Sequence, residues 1–190
     1  QVTPTANTTY YYKAYATNSY GTGYGSEYSF TTLPQLTYPR LTTNVITDIN
    51  YTSATSGGVI TFDGYGEIVQ KGLCWDINPT PTISDDTTFN GSGSSSYISY
   101  MTGLSEGTTY YVRAWARNMR HQGGFYIYAL GYGNERVFTT PSTTIPIVTT
   151  TDISSITYDS AVSGGNVSDQ GSSTVTERGD RKSTRLNSSQ

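Results

Sequence analysis

Aromatic side chains suited to recognition concentrate in one part of this 190-residue chain. In an alternating strand Tyr111 and Trp115 share one face, which we expect to be the outer face, and more aromatic residues crowd the segment 119–130 that follows. Flat rings with polar edges stack on sugars or anchor protein partners. The candidate ligand-binding residues are Trp115, Tyr111, Arg120, His121, Phe125, Tyr126 and Tyr128. The alternative is that these rings only stabilise a sheet, at roughly 0.2 to 1 kcal/mol for each cross-strand pair.

Groups suited to catalysis or metal binding are sparse. The single His121 and the single Cys74 cannot by themselves form a zinc site or a Cys/His pair, and His121 is expected in a solvated loop. The carboxylates show no paired arrangement for acid–base chemistry. Asp85 and Asp86 could offer oxygen ligands to calcium, but they lack the alternating spacing and the terminal Glu of a known calcium loop, which favours an ordinary solvated loop. The sequence therefore predicts a protein that is not an enzyme, with no catalytic residue, cofactor or metal.

The composition excludes several classes of protein. The chain has 33 Thr, 23 Ser, 18 Tyr and 20 Gly, which replace the Ala, Leu, Glu and Lys of helical proteins. A net charge of −3 argues against binding to nucleic acid. The longest apolar stretch, residues 125–130, is far shorter than the roughly 20 residues of a membrane-spanning helix. We expect an all-β domain with no nucleic-acid partner and no membrane span.

The chain repeats itself, with a unit of about one hundred residues. Residues 53–58 recur at 160–165, an offset of 107, and residues 8–18 match 108–118, an offset of 100. The second offset then becomes 108, so the middle copy carries eight extra residues, which we expect in a loop. The glycines of segment 21–25 are expected in a hairpin turn.

These offsets predict four segments. Residues 1–33 hold the C-terminal strands of a truncated repeat, 36–140 form one complete domain, and 141–179 hold the N-terminal strands of another truncated repeat. Paired prolines at the two junctions predict short, extended linkers. Residues 180–190 resemble translated sequencing-adapter DNA and are predicted to be a non-native tail. The two truncated repeats are expected to lack a self-sufficient core and so to be less ordered, or to pair with each other or with neighbouring chains.

Seven strands are predicted in the complete unit, at 41–50, 53–62, 67–76, near Thr87, and at 95–101, 108–118 and 134–140. The sixth has the clearest alternation, which turns one face toward the core. The predicted core residues are Tyr110, Val112, Ala114 and Ala116 of this strand, with Ile60, Tyr97 and Phe138 from others. Gly72 is expected to form a bulge in the third strand.

Leu104, Thr108 and Tyr110, spaced Leu-x-x-x-Thr-x-Tyr, resemble the tyrosine corner of fibronectin type III domains. The fuller pattern includes Ser-Ala-Thr-Ser-Gly-Gly at 53–58 and Gly-Leu-Cys-Trp-Asp at 72–76, and it is similar to repeat arrays in surface and secreted proteins of Bacteroidetes-type bacteria. The resemblance implies a fibronectin type III-like (immunoglobulin-like) antiparallel β-sandwich. The chain departs from the family by Glu106 in place of a common proline and by glycines at 57–58 in place of a core tryptophan.

The resemblance and the missing catalytic groups together predict a non-catalytic structural or adhesion repeat module of a multidomain extracellular or cell-surface protein. Its expected partners are the adjacent repeats of the same chain and a protein or polysaccharide ligand. The alternative is a carbohydrate- or protein-binding accessory module of a secreted enzyme.

Overall fold

The computed structural model describes residues 4–182, and in that part of the chain it contains β-strands and no helix. The strands are β1 (Thr9–Tyr12), β2 (Tyr15–Asn18), β3 (Gly21–Tyr24), β4 (Tyr28–Thr31), β5 (Arg40–Thr43), β6 (Ser53–Phe62), β7 (Glu67–Asp76), β8 (Asp86–Thr87), β9 (Tyr97–Thr102), β10 (Thr109–Gln122), β11 (Phe125–Tyr132), β12 (Arg136–Thr139), β13 (Ile147–Thr150) and β14 (Gly165–Asp169). Most of the predicted tail, residues 183–190, lies outside the described residues, as do residues 1–3.

Two antiparallel sheets form the central unit. The first has the order β5-β6-β9, and the second has the order β11-β10-β7-β8 with β12 also paired to β10. Their facing side chains form one buried cluster drawn from both sheets, so the unit is the predicted all-β sandwich. The predicted inward residues of β10 are all buried: Tyr110, Val112, Ala114 and Ala116. Tyr97 and Phe138 are buried with them, and Ile60 packs against the cluster.

Small residues allow the two sheets to approach closely. A Cβ atom at Gly58 would lie 2.8 Å from the Cβ of Ala114 in the opposite sheet. The Tyr97 hydroxyl crosses this space and donates a 2.6 Å hydrogen bond to the Gly72 carbonyl. Burial raises the pKa of Tyr97, so the phenol stays neutral and keeps donating. The glycines that replace a core tryptophan therefore make room for a tyrosine that joins the sheets.

The predicted tyrosine corner is present. The backbone N–H of Ser105 donates to the Tyr110 hydroxyl at 2.9 Å, and the Tyr110 ring stacks on Phe138 with centroids 5.8 Å apart. The same contacts occur one hundred residues earlier. There Tyr10 accepts from the Thr5 N–H at 2.7 Å, and its ring stacks on Phe30 at 5.7 Å. The internal repetition of the sequence thus corresponds to repeated geometry.

Several strands differ from the prediction. β5 ends at Thr43 rather than near residue 50, and beyond it Asn44 and the isolated bridge of Thr47 to Thr55 still bond to β6. Asp48, with a left-handed φ of 49°, then ends the extended run. The irregularity in β7 lies at Val69, which is skipped between the pairs of Arg117 and Asn118, and not at Gly72. Gly72 pairs regularly, and it is glycine because a Cβ atom there would collide with the carbonyl oxygen of Thr88.

The flanking segments form hairpins without buried residues. β1 pairs with β4, β2 with β3 and β13 with β14, and no residue in 4–33 or 141–182 is buried. The glycines at 21–25 were expected in the turn, but most of them lie in strand β3, and the turn is formed by Ser19 and Tyr20. Among the described residues there is no helix long and apolar enough to cross a membrane.

Candidate functional site

The segment predicted as an inserted loop is a long β-hairpin. β10 and β11 pair without interruption from Trp115 opposite Tyr132 to Gln122 opposite Phe125. Gly123 and Gly124 form the turn, with φ of 59° and 88°, because a two-residue turn that matches the twist of the strands needs positive φ at both positions. The eight extra residues therefore lengthen the hairpin, and we call the paired segments 117–122 and 125–130 the extension.

The outer face of the extension carries a strip of large side chains. Residues directly opposite each other in a ladder share a face. The pairs on this face are His121 with Tyr126, Met119 with Tyr128 and Arg117 with Leu130. The His121 and Tyr126 rings meet edge to face at a centroid distance of 5.1 Å. Tyr126 is 60% exposed and Tyr128 is 58% exposed, so both rings are accessible to a ligand.

Trp115 does not belong to this accessible strip, so its predicted role as a surface ligand-binding residue is wrong. Its side chain is buried, and its indole N–H donates to the Leu73 carbonyl at 3.2 Å and to the Thr87 hydroxyl at 3.0 Å. The Phe89 ring covers it edge to face at 5.5 Å. Alternation correctly turns Trp115 away from the central core, but the segment between β7 and β9 folds over it.

The remaining predicted site residues lie elsewhere. Arg120 and Phe125 lie on the opposite, inner face of the extension, because they alternate with His121 and Tyr126. Tyr111 lies on the outer face but ten residues from His121 along β10, which is roughly 33 Å. The structure therefore brings together three of the seven candidates, namely His121, Tyr126 and Tyr128.

The inner face holds the linker that precedes the central unit. The buried side-chain amide of Asn118 donates to the Thr37 carbonyl at 2.8 Å and to the Asp63 carbonyl at 2.5 Å, and its oxygen accepts from the Ala129 N–H at 3.2 Å. The Arg120 guanidinium donates to the Pro34 carbonyl at 2.5 Å and also to the Tyr65 carbonyl. The linker is thus attached to the unit that follows it.

Sequence reasoning missed several residues of the outer strip. Arg117 and Leu130 line a shallow groove of about 320 Å³ with Tyr128 and Ala129. On the other edge of β10, where that strand pairs with β7, Gln70 lies opposite Arg117. The two-residue period of the predicted strand already places Arg117 on the outer face, and continued past Asn118 it would have added Met119 and His121, but the glycine-rich sequence suggested a loop.

Other side chains that could react or bind a metal have structural roles instead. Cys74 is fully buried, and burial raises the pKa of its thiol to about 12, which suppresses the reactive thiolate. The Asp85 carboxylate accepts from the Thr82 N–H at 2.8 Å and from the Thr82 hydroxyl at 3.1 Å. Within residues 4–182 no three His, Cys, Asp or Glu side chains are grouped to hold a metal ion.

Comparisons with known proteins find similarity only among solved structures. No protein-family model matches the chain, and no curated protein matches it. The short form of the sensor domain of the anti-sigma factor RsgI4 of Pseudobacteroides cellulosolvens is 17% identical, with 57% of this chain and 99% of that chain covered and a TM-score of 0.37. A solution structure of the same sensor domain is 17% identical, with 54% and 74% covered and a TM-score of 0.34. A crystal structure of titin domains is 14% identical, with 67% and 40% covered and a TM-score of 0.32.

Proposed function

We propose that this chain is a non-catalytic structural or adhesion module of a multidomain extracellular protein, in which fibronectin type III-like units are strung in line. The observation that carries the proposal is the attachment of the linker at 34–39 to the following unit by Asn118 and Arg120. A linker whose Pro34 and Thr37 carbonyls are both bound to the next unit limits bending between units, because each bound carbonyl removes conformational freedom from the chain.

The contact between the linker and a glycine turn occurs in two successive copies of the repeat, which supports units arranged in line. At Gly64 a Cβ atom would collide with the Thr37 carbonyl, and the residue has a φ of 72°. At Gly171, 107 residues later, a Cβ atom would collide with the Thr144 carbonyl, and the φ is 70°. The same close approach of linker and turn thus accompanies the next copy of the sequence.

The chain enters and leaves the central unit at opposite ends. The linker contacts Asn118 near the far end of β10, whereas the last strand, β12, pairs its Thr139 with Thr109 at the beginning of β10. Nine residues of strand separate these positions, which is roughly 30 Å. Each added unit should therefore lengthen an array rather than fold back upon it.

Small-angle X-ray scattering of tandem proteins with two and four copies of residues 34–141 tests this proposal. We expect the maximum dimension to grow linearly, by at least roughly 30 Å for each copy. The double variant Asn118→Ala, Arg120→Ala should shorten the four-copy protein, whereas Gln122→Ala on the same hairpin should not. A wild-type array that collapses, or that is unaffected by the double variant, would contradict the in-line arrangement.

The extracellular and non-catalytic parts of the proposal need separate measurements. Antibody labelling of intact producing cells should detect the repeat at the cell surface or in the medium, and an exclusively internal signal counts against it. A broad hydrolase screen of the intact chain should give no turnover, and any activity that is abolished by unfolding would replace the proposal with an enzymatic one.

A further inference from the structure

The outer face of the extension is built on rigid strands but contributes nothing to the central core. The equivalent hairpin one hundred residues earlier, β2–β3, stops at Asn18 opposite Gly21, whereas the extension continues beyond Asn118 opposite Ala129. The inner face of the extension holds the linker, as described above. On the outer face His121, Tyr126 and Tyr128 are exposed, whereas Arg117, Met119 and Leu130 are half-buried.

Two tyrosines give this face a flat aromatic surface. Tyr126 and Tyr128 lie two positions apart on β11, so their side chains project in the same direction roughly 7 Å apart. The edge contact with His121 orients the Tyr126 ring. Rings that are fixed on paired strands lose little conformational freedom on binding, and their faces suit the C–H surface of a sugar ring.

One basic side chain on the same face is available to an anion. Arg117 lines the groove beside Tyr128, and its guanidinium has no hydrogen-bond or ion-pair partner in the part of the chain that the structure describes. Arg113 lies farther along the face, with its guanidinium stacked 4.4 Å from the Tyr132 ring centroid. Two carboxylates lie on the same face, that of Glu67 opposite Met119 and that of Asp76 opposite Tyr111. Arg113 also donates to the Gly133 carbonyl at 3.3 Å, so Arg117 is the guanidinium on this face that is left available to an anion.

We propose that the outer face of the extension binds an acidic polysaccharide. Tyr126 and Tyr128 stack on successive sugar rings, and Arg117 pairs with a sugar carboxylate, an interaction in which the guanidinium can donate two parallel hydrogen bonds. The Gln70 side chain, opposite Arg117, supplies an amide for sugar hydroxyls. This site is independent of the linker contacts on which the proposed function rests, since it uses the other face of the hairpin.

Calorimetric titration of the full chain with polygalacturonate, and with the same polymer fully methyl-esterified, tests the proposal. We expect binding of the acidic polymer and at least about tenfold weaker binding of the ester, because esterification removes the charge that Arg117 recognises. Tyr128→Ala and Arg117→Gln should each weaken binding about tenfold. Tyr100→Ala removes a ring of similar exposure (68%) from the other sheet and should leave binding unchanged.

Four results would overturn the proposal: no binding of polygalacturonate at millimolar sugar concentration, equal binding of the ester, no effect of the two site variants, or tighter binding of single-stranded oligothymidylate. The last result would assign the strip to nucleic acid, whose bases also stack on aromatic side chains. Tryptophan fluorescence of each variant checks that the fold is intact, because both Trp75 and Trp115 are buried in the central unit.

Discussion

Replacement of Asn118 by alanine should loosen the linker and destabilise the central unit. The side chain makes three hydrogen bonds, to the Thr37 and Asp63 carbonyls and from the Ala129 N–H. The three partner groups are only partly shielded from water, so we assign each lost bond about 1 kcal/mol, for a total loss of about 3 kcal/mol in the free energy of unfolding. For a unit of about one hundred residues this lowers Tm by about 12 to 24 °C.

Thermal unfolding followed by tryptophan fluorescence measures this effect in the full chain, since both tryptophans, Trp75 and Trp115, belong to the central unit. Gln122→Ala, at the exposed end of the same hairpin, is the matched control and should change Tm by less than about 2 °C. Hydrogen exchange gives the local readout, because the Thr37 amide bonds to the Gly64 carbonyl at 3.0 Å and should lose its protection in Asn118→Ala. A Tm within 3 °C of wild type, or a protected Thr37 amide, would refute the reasoning.

Three further predictions concern the sandwich itself. Tyr110→Phe should lower the free energy of unfolding by about 1 kcal/mol in urea, because the Ser105 N–H loses its acceptor; an unchanged midpoint would contradict the tyrosine corner. Gly72→Ala should cost about 2 kcal/mol and shift the emission maximum of tryptophan, because the added methyl group collides with the Thr88 carbonyl; wild-type stability and emission would contradict this close approach. The Cys74 thiol should resist iodoacetamide at pH 8, and stability should fall as pH rises from 9 toward 12, because the folded state holds this proton to a higher pKa than the unfolded chain does. Cys74→Ala should make this fall smaller without abolishing it, because burial also raises the pKa of Tyr97; an unchanged pH profile in Cys74→Ala would contradict the prediction.

The alternation of side chains was sufficient to predict the strands that form the core. β6 and β7 begin and end at the predicted residues, and the inward set of β10 is buried as expected. These strands are long, and one face of each is covered by the opposite sheet, so the pattern in the sequence directly reflects burial. The tyrosine corner could also be recognised from the sequence, because Ser105, whose N–H donates to the Tyr110 hydroxyl, is only five residues away.

The candidate site was harder to predict because its surroundings are distant in sequence. Nothing near Trp115 indicates that Phe89 covers it, and that contact decides whether the indole is available to a ligand. The extension was taken for a loop, although Gly123 and Gly124 between aromatic stretches are a recognisable two-residue hairpin turn. Once the hairpin is known, alternation separates Arg120, on the linker side, from Tyr126 on the outer face.

Residual dipolar couplings of the backbone amides test the central claim, that the linker is part of the rigid body that follows it. We predict that Leu36, Thr37 and Tyr38 in the full chain fit the same alignment tensor as the amides of β6, β7 and β10. Couplings of these three residues that average toward zero, while those of the strands remain large, would contradict the account.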